Sequence, residues 1–391
     1  MRIDHVVARQ ILDTRWRPTI ETTLHSGEFS ATASVPSGKS TGEHEAVELD
    51  ATSAIENVNG EIAAALVKQD FQSLDELDNF LIALDGTPNK ARLGANAILS
   101  VSIAAMRLSA LQDGTPLWKA VAKRAGTTPS APWLFVNVMN GGVHSNFRLP
   151  FQEYILVIED KTSAALPVAQ QAFAKLGKML GDGMPMGDEG GYAPTFNNLE
   201  KPFEILVELV KEFPDTFIAI DAAASQLFQD GAYIILGKRY SADELLRAYE
   251  DLVERFTIAS IEDPFDEHAT DDFIRFTAAA DNRILVVGDD FTCTNPKLIA
   301  DAIQKKAVNA ILIKPNQIGT VMEAIEAVQE THAAGFKAVC SHRSGETNDT
   351  FIADFAYGIG AYGLKAGGLG QPERLAKYSR LLAIEREAES V

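Results

Sequence analysis

Two patterns of apolar residues divide this chain. Apolar positions recurring every third or fourth residue mark helices packed along one face, and short unbroken apolar runs mark buried strands. From Phe217 to Lys365, six such runs each stop on a charged or metal-capable residue: FIAI on Asp221, IASI on Glu262, ILVVG on Asp289, AILI on Lys314, KAVCS on His342 and YGL on Lys365. Helical segments fill the gaps. Ser241 to Arg255 opens with the capping box Ser241/Glu244, Asn295 and Pro296 read as N-cap and first helical residue, and Thr320 to Ala334 carries Thr320 and Glu323 ahead of a stop at Gly335. Strand-helix repeats with chemistry at the strand ends predict an α/β fold of the β/α barrel type, whose site collects at the C-terminal ends of the strands. Three carboxylates, two lysines and a histidine would then face one mouth.

Ahead of this region the pattern changes. Ile3 to Ile11, Thr19 to Leu24 and Phe29 to Val35 read as strands, the last two joined across His25-Ser26-Gly27 as a hairpin. The loop Pro36 to Gly42, rich in glycine and hydroxyls, is suited to close approach to a ligand; a plain surface turn is the alternative. Its Gly38-Lys39-Ser40 is no P-loop, because that motif needs glycine where this chain has Ala33. Helical periodicity follows over Thr52–Val67, Ser73–Leu84, Ala95–Leu111 and Pro116–Arg124. Strands followed by a run of helices predict a separate α+β domain, and the linker-like Gly126 to Pro132 divides residues 1–131 from a barrel at 132–391. Helices are also expected over Ala164–Leu180 and Phe203–Phe213.

With 391 residues there is room for a barrel of about 250 residues and a second domain. A formal charge of −19 argues against nucleic acid or an anionic membrane as partner, though local cations can still receive a small anion. Cys293 and Cys340 form no disulfide framework or metal spacing, so a reducing cytoplasm is expected. No run of 18 apolar residues exists; Ala95–Leu111 reads as a helix packed through small residues.

Asp221, Glu262 and Asp289 are oxygen ligands only, which suits a hard cation such as Mg²⁺ better than Zn²⁺. Asp290 is a competing ligand and Asp263 a turn residue before Pro264. Lys314 ends an apolar strand, where burial and nearby metal would lower its pKa and make it a base. Lys365 is a second base or an anion contact. Glu153 and Glu189 stand on the acid side, since a carboxyl beside another carboxylate holds its proton. His342-Arg343-Ser344-Gly345 would clamp phosphate. Together these groups suggest proton abstraction beside a metal-bound carboxylate.

ILDTRWRPTIE, VPSGKSTGEHEAVEL, NVMNGGVHSNFRLPFQE, GDEGGYAP, SIEDPF, VVGDDFTCTNP, IKPNQIGT, SHRSGETNDTFIADF and GQPERLAKY occur in this order, and through them the chain closely resembles the enolase family over nearly its whole length. The resemblance implies an N-terminal α+β domain capping a modified TIM-type barrel whose first turns depart from simple alternation. It implies Mg²⁺ dependence, a homodimer or assembly of dimers, and a small phosphorylated carboxylate, 2-phosphoglycerate, as substrate. Asp221, Glu262 and Asp289 are then ligands of one Mg²⁺ and Ser40 of a second. Lys314 is the base at C2, and Glu189 with Glu153 the acid at the C3 hydroxyl. Arg343 and Ser344 bind phosphate, Lys365 contacts the carboxylate and metal side, and His144 and His342 are their partners. A Lys base beside one or two Mg²⁺ is a general feature of enolase-superfamily sites. Trp16 and Arg17, Lys39, Gln226, Pro315 and Gln371 depart from the family's usual residues. Two other readings follow: a related enzyme acting on a phospho- or phosphono-carboxylate, for which Lys39 and Arg148 would suit an extra anionic group, and a binding protein or adhesin on the same scaffold.

Overall fold

The computed structural model describes residues 1–39 and 42–390, so Ser40 lies outside the described residues. Strands β1 (His5–Leu12), β2 (Pro18–Ser26) and β3 (Phe29–Ser34) form an antiparallel sheet in that order. The hairpin turns on Gly27, at φ +57°, and Glu28, one residue later than expected, because Ser26 still pairs with Phe29. Ile20 and Leu24, Ala31 and Ala33 are buried against the helix Ala95–Gln112, and Val6 and Ala8 of β1 against the helical segment Ala51–Leu66. By length and composition that helix is apolar enough to span a bilayer, but here it is the packed centre of the domain. Its polar residues are bonded: Asn96 Nδ2 donates to Leu49 O at 2.8 Å, and Ser100 and Thr22 share a bond of 2.6 Å. Ala51–Asn57, Val58–Ile62 and Ala63–Leu66 run on as one helix with a central π turn, from which Asn59 brackets the backbone of Ala8.

Beyond residue 132 the chain forms β4 (Trp133–Asn140), β5 (Glu153–Ile158), β6 (Thr216–Asp221), a small sheet of β7 (Phe228–Gln229), β8 (Ala232–Ile235) and β9 (Lys238–Tyr240), then β10 (Ile258–Glu262), β11 (Leu285–Gly288), β12 (Ala310–Ile313), β13 (Lys337–Ser341) and β14 (Gly363–Lys365). The barrel closes in the order β4-β5-β6-β10-β11-β12-β13-β14. Phe135, Ile155, Val157, Ala219, Val287, Ala310, Leu312 and Val339 form one packed cluster contributed by its strands. Every neighbouring pair is parallel except β4/β5 and β5/β6. The reversal of β5 matters for the site: it puts the first residue of β5, Glu153, opposite Asn140 and Asp221, at the rim where the other strands end.

The expected helix starts form as read. Ser241 Oγ accepts from Glu244 N at 3.3 Å while Glu244 returns a bond to Ser241 N at 2.8 Å. Asn295 Oδ1 accepts from Lys297 N at 3.0 Å, and Thr320 Oγ1 from Glu323 N at 3.2 Å; such caps contribute about 1 kcal/mol each. Two helices, Phe351–Gly358 and Pro372–Glu389, were not expected. The first is buried on every side and shows no period, and the second buries Arg374, Lys377 and Glu385, which disguise its inner face.

Candidate active site

One cavity, with an empty volume of ≈ 350 Å³, opens at the C-terminal rim of the barrel. Its walls include Lys39, His144, Glu153, Glu189, Asp221, Asp289, Lys314, His342, Arg343, Ser344 and Lys365. Glu262 lies directly beside it, capped by Lys365. Strand ends bring Glu153, Asp221, Glu262, Asp289, Lys314, His342 and Lys365 together, and the adjoining loops add His144, Glu189, Arg343 and Ser344.

On the acid ring, Lys365 Nζ donates to Asp221 Oδ2 at 3.1 Å and to both oxygens of Glu262 at 2.9 Å, and lies 3.3 Å from Glu153 Oε2. Burial opposes the Lys365 charge, but Asp221, Glu153 and Glu262 hold its pKa well above the ordinary value. One ammonium does not balance three carboxylates. Burial and the Asp221 charge push Glu262 well above the carboxylate range, and burial with the Asp289 charge takes Asp290 to about 8. Buried acids in excess of buried cations, offering oxygen atoms alone, fit a hard divalent ion. Asp263, Asp289 and Asp290 also bring ligand atoms within 4.8 Å of one another. Asp263, however, is used by the turn itself: it accepts from Asp289 N at 2.9 Å and Asp290 N at 2.8 Å.

Lys314 donates to Asp289 Oδ2, so it points into the ring. The fall in its pKa expected beside a bound metal is opposed here by the Asp289 carboxylate. Burial acts downward, yet the adjacent Asp289 outweighs it and holds the ammonium above its ordinary range. Across the cavity, His144, Glu153 and Glu189 present atoms within 4.8 Å of one another. Burial raises both carboxyls, but His144 and the Arg374 guanidinium pull Glu189 well below the usual range, while the Glu189 charge drives Glu153 well above it. His144 Nε2 is 3.4 Å and His342 Nε2 3.8 Å from Glu189. Burial and the charge of Arg374, which bonds His342 Nδ1, push the His342 pKa well below its ordinary value.

The glycines around Asp188-Glu189 crowd protein rather than cavity. A Cβ on Gly187 would lie 2.4 Å from Asn140 Cβ, and one on Gly191 2.7 Å from Asn137 Oδ1. Asn137 Nδ2 in turn donates to Glu189 Oε2 at 3.1 Å.

Several residues were not read from the sequence. Glu45 meets both ends of the Arg343 guanidinium at 3.0 and 3.1 Å. Arg15 donates to Ser344 Oγ at 3.3 Å and to Ser37 Oγ at 2.6 Å. Arg374, fully buried, donates to Ser344 O at 3.1 Å. Asn137, Gln152 and Gln317 support carboxylates. All of these lie within the motifs that carry the resemblance, but none ends an apolar strand, so no pattern singled them out.

Comparison with known proteins agrees along the full chain. The family model described as the enolase N-terminal domain matches residues 3–121, and that described as the enolase C-terminal TIM barrel domain matches residues 129–391. The protein named Enolase from Thermococcus kodakarensis is 39% identical over 413 aligned positions, covering 100% of this chain and 96% of that protein. Enolase from Thermococcus gammatolerans is 38% identical over 413 positions with the same coverage.

Proposed function

Because the chain belongs to the enolase family, we propose that it is a Mg²⁺-dependent phosphopyruvate hydratase that interconverts 2-phosphoglycerate with phosphoenolpyruvate and water. The observation that carries this reading is the meeting of Lys314 with Asp289 in the cavity that also holds Asp221, Lys365 and the Glu153–Glu189 pair.

In this reading Asp221, Glu262 and Asp289 hold one Mg²⁺ and Ser40 contributes to a second. Bound Mg²⁺ would neutralise the acids, weaken the hold of Asp289 on the Lys314 proton and stabilise negative charge developing on the substrate carboxylate. Lys314, once neutral, takes the proton from C2. Glu153 and Glu189 hold one proton between them, and the pair delivers it to the C3 hydroxyl so that water leaves. His144 and His342 keep Glu189 in place. Arg343 and Ser344 bind the phosphate, with Glu45 and Arg15 fixing their positions, and Lys365 contacts the substrate carboxylate. The same reading takes residues 1–131 as a cap on the barrel of 132–391 and the protein as a cytoplasmic homodimer or assembly of dimers.

A related substrate with an extra anionic group would need a cation to meet it. Lys39 lines the cavity but already donates to Asp188 Oδ2 at 2.5 Å and Val143 O at 2.7 Å, and Arg148 is bonded to Ala193 O at 3.3 Å. These pairings favour the three-carbon substrate. Purified protein with Mg²⁺ is expected to turn over 2-phosphoglycerate, read as rising enol absorbance, and Lys314→Ala to lose about 10³-fold in kcat. Mg²⁺ uptake without any such turnover by the natural protein would sink the proposal.

A further inference from the structure

Two of the acids assigned to the cation are each held by a glutamine whose own oxygen is filled from behind. Gln152 Nε2 donates to Asp221 Oδ2 at 3.0 Å, and Gln226 Nε2 donates to Gln152 Oε1 at 2.9 Å. On the other side, Gln317 Nε2 donates to Asp289 Oδ1 at 2.9 Å, and Thr294 Oγ1 donates to Gln317 Oε1 at 2.7 Å. Gln152 and Gln317 are buried, which leaves little room to exchange these partners for water.

The direction of each chain is forced. An ionised carboxylate only accepts, so each amide must turn its NH₂ to the acid and its oxygen away, and the outer residue must then be a donor. Gln and Thr meet that demand. An ionised carboxylate at position 226, as in Gln226→Glu, could engage Gln152 only through its NH₂. The turned amide would then set its oxygen against the Asp221 carboxylate.

We propose that Gln226–Gln152 and Thr294–Gln317 are directional relays that orient Asp221 and Asp289 for Mg²⁺, which makes Gln226 and Thr294 positioning residues although neither donates to the acids itself. The inference rests on the Mg²⁺ reading above. Partners of this kind, one bond removed from a metal ligand, are worth about 10- to 100-fold in metal affinity.

The test is a double-mutant cycle read by calorimetric titration of the full chain with Mg²⁺ alone, without substrate. Gln226→Met, which keeps shape but donates nothing, is expected to weaken Mg²⁺ binding about tenfold. Gln152→Met is expected to weaken it at least as much, and the double variant no more than Gln152→Met. If Gln226→Met fails to fold, the second relay serves: Thr294→Val should weaken binding and Thr294→Ser restore it. Wild-type affinity in Gln226→Met and Thr294→Val, or losses that add in full in the double variant, would overturn the relays while leaving the Mg²⁺ reading intact. A wild-type protein that takes up no Mg²⁺ would overturn both.

Discussion

Trp16 holds φ +61° with 83% of its surface exposed, in a turn tied by Asp13 Oδ1 accepting from Arg15 N at 2.8 Å and Arg17 N at 2.9 Å. A left-handed conformation costs a bulky L-residue about 1–2 kcal/mol, and glycine nothing comparable. Trp16→Gly is therefore expected to stabilise the chain by about 1 kcal/mol in chemical denaturation; unchanged stability would show that contacts of the indole offset the strain. At this scale the sequence was informative where a charge ended an apolar run. Asp221, Glu262, Asp289, Lys314 and Lys365 stood out because a charged group there needs a partner, and each has one or more here. Glu45 lies in one of the motifs that carry the resemblance, but its partner Arg343 is 298 residues away along the chain, so the pairing left no local trace. The Lys314 pKa was expected to fall through burial beside a metal ion; that Asp289 touches the ammonium and pulls the other way carried no signal in the sequence.

Among the elements, helices with a polar face and a cap were legible, while strands of two to four residues such as β7 and β8 were too short to show a period. The reversal of β5 came only through family resemblance, because an apolar run has no direction in sequence. One helix junction yields a pH prediction. Asp78, buried in the helix Leu74–Asp85, accepts from Met322 N at 2.9 Å and so holds the start of the helix Val321–Ala333, which follows the Lys314 strand. Burial raises its pKa to about 6, against the opposing pull of Ser102 and of Arg124. A carboxyl raised on folding gives stability that is full below its unfolded value near 3.8 and is lost as pH rises through about 6. Asp78→Asn keeps the acceptor and removes the titration. Its stability relative to wild type should rise by on the order of 2–3 kcal/mol between pH 4 and pH 7; parallel denaturation profiles for the two proteins would refute the assignment.

For the molecule as a whole, a net charge of −19 and a ring of buried acids set like charges against one another, which a bound cation would relieve. Any ion bound by the native state alone stabilises it by mass action, about 2.7 kcal/mol at a hundredfold excess over Kd. Mg²⁺ is thus expected to raise the thermal midpoint and a chelator to lower it, and a midpoint indifferent to both would argue that the ring holds no ion. The barrel was legible in the order of strand and helix patterns, and so was the mouth at its strand ends; the loop residues that complete the cavity, Lys39 and His144 among them, end no strand and had no such pattern. The central claim is that Lys314 removes a proton from carbon inside that cavity. Exchange of the C2 proton of 2-phosphoglycerate with deuterated water, followed by NMR in the presence of Mg²⁺, separates this step from the loss of water. The account predicts exchange by the natural protein and by Glu189→Gln, which should no longer complete turnover, and none by Lys314→Ala. Exchange persisting in Lys314→Ala would contradict it.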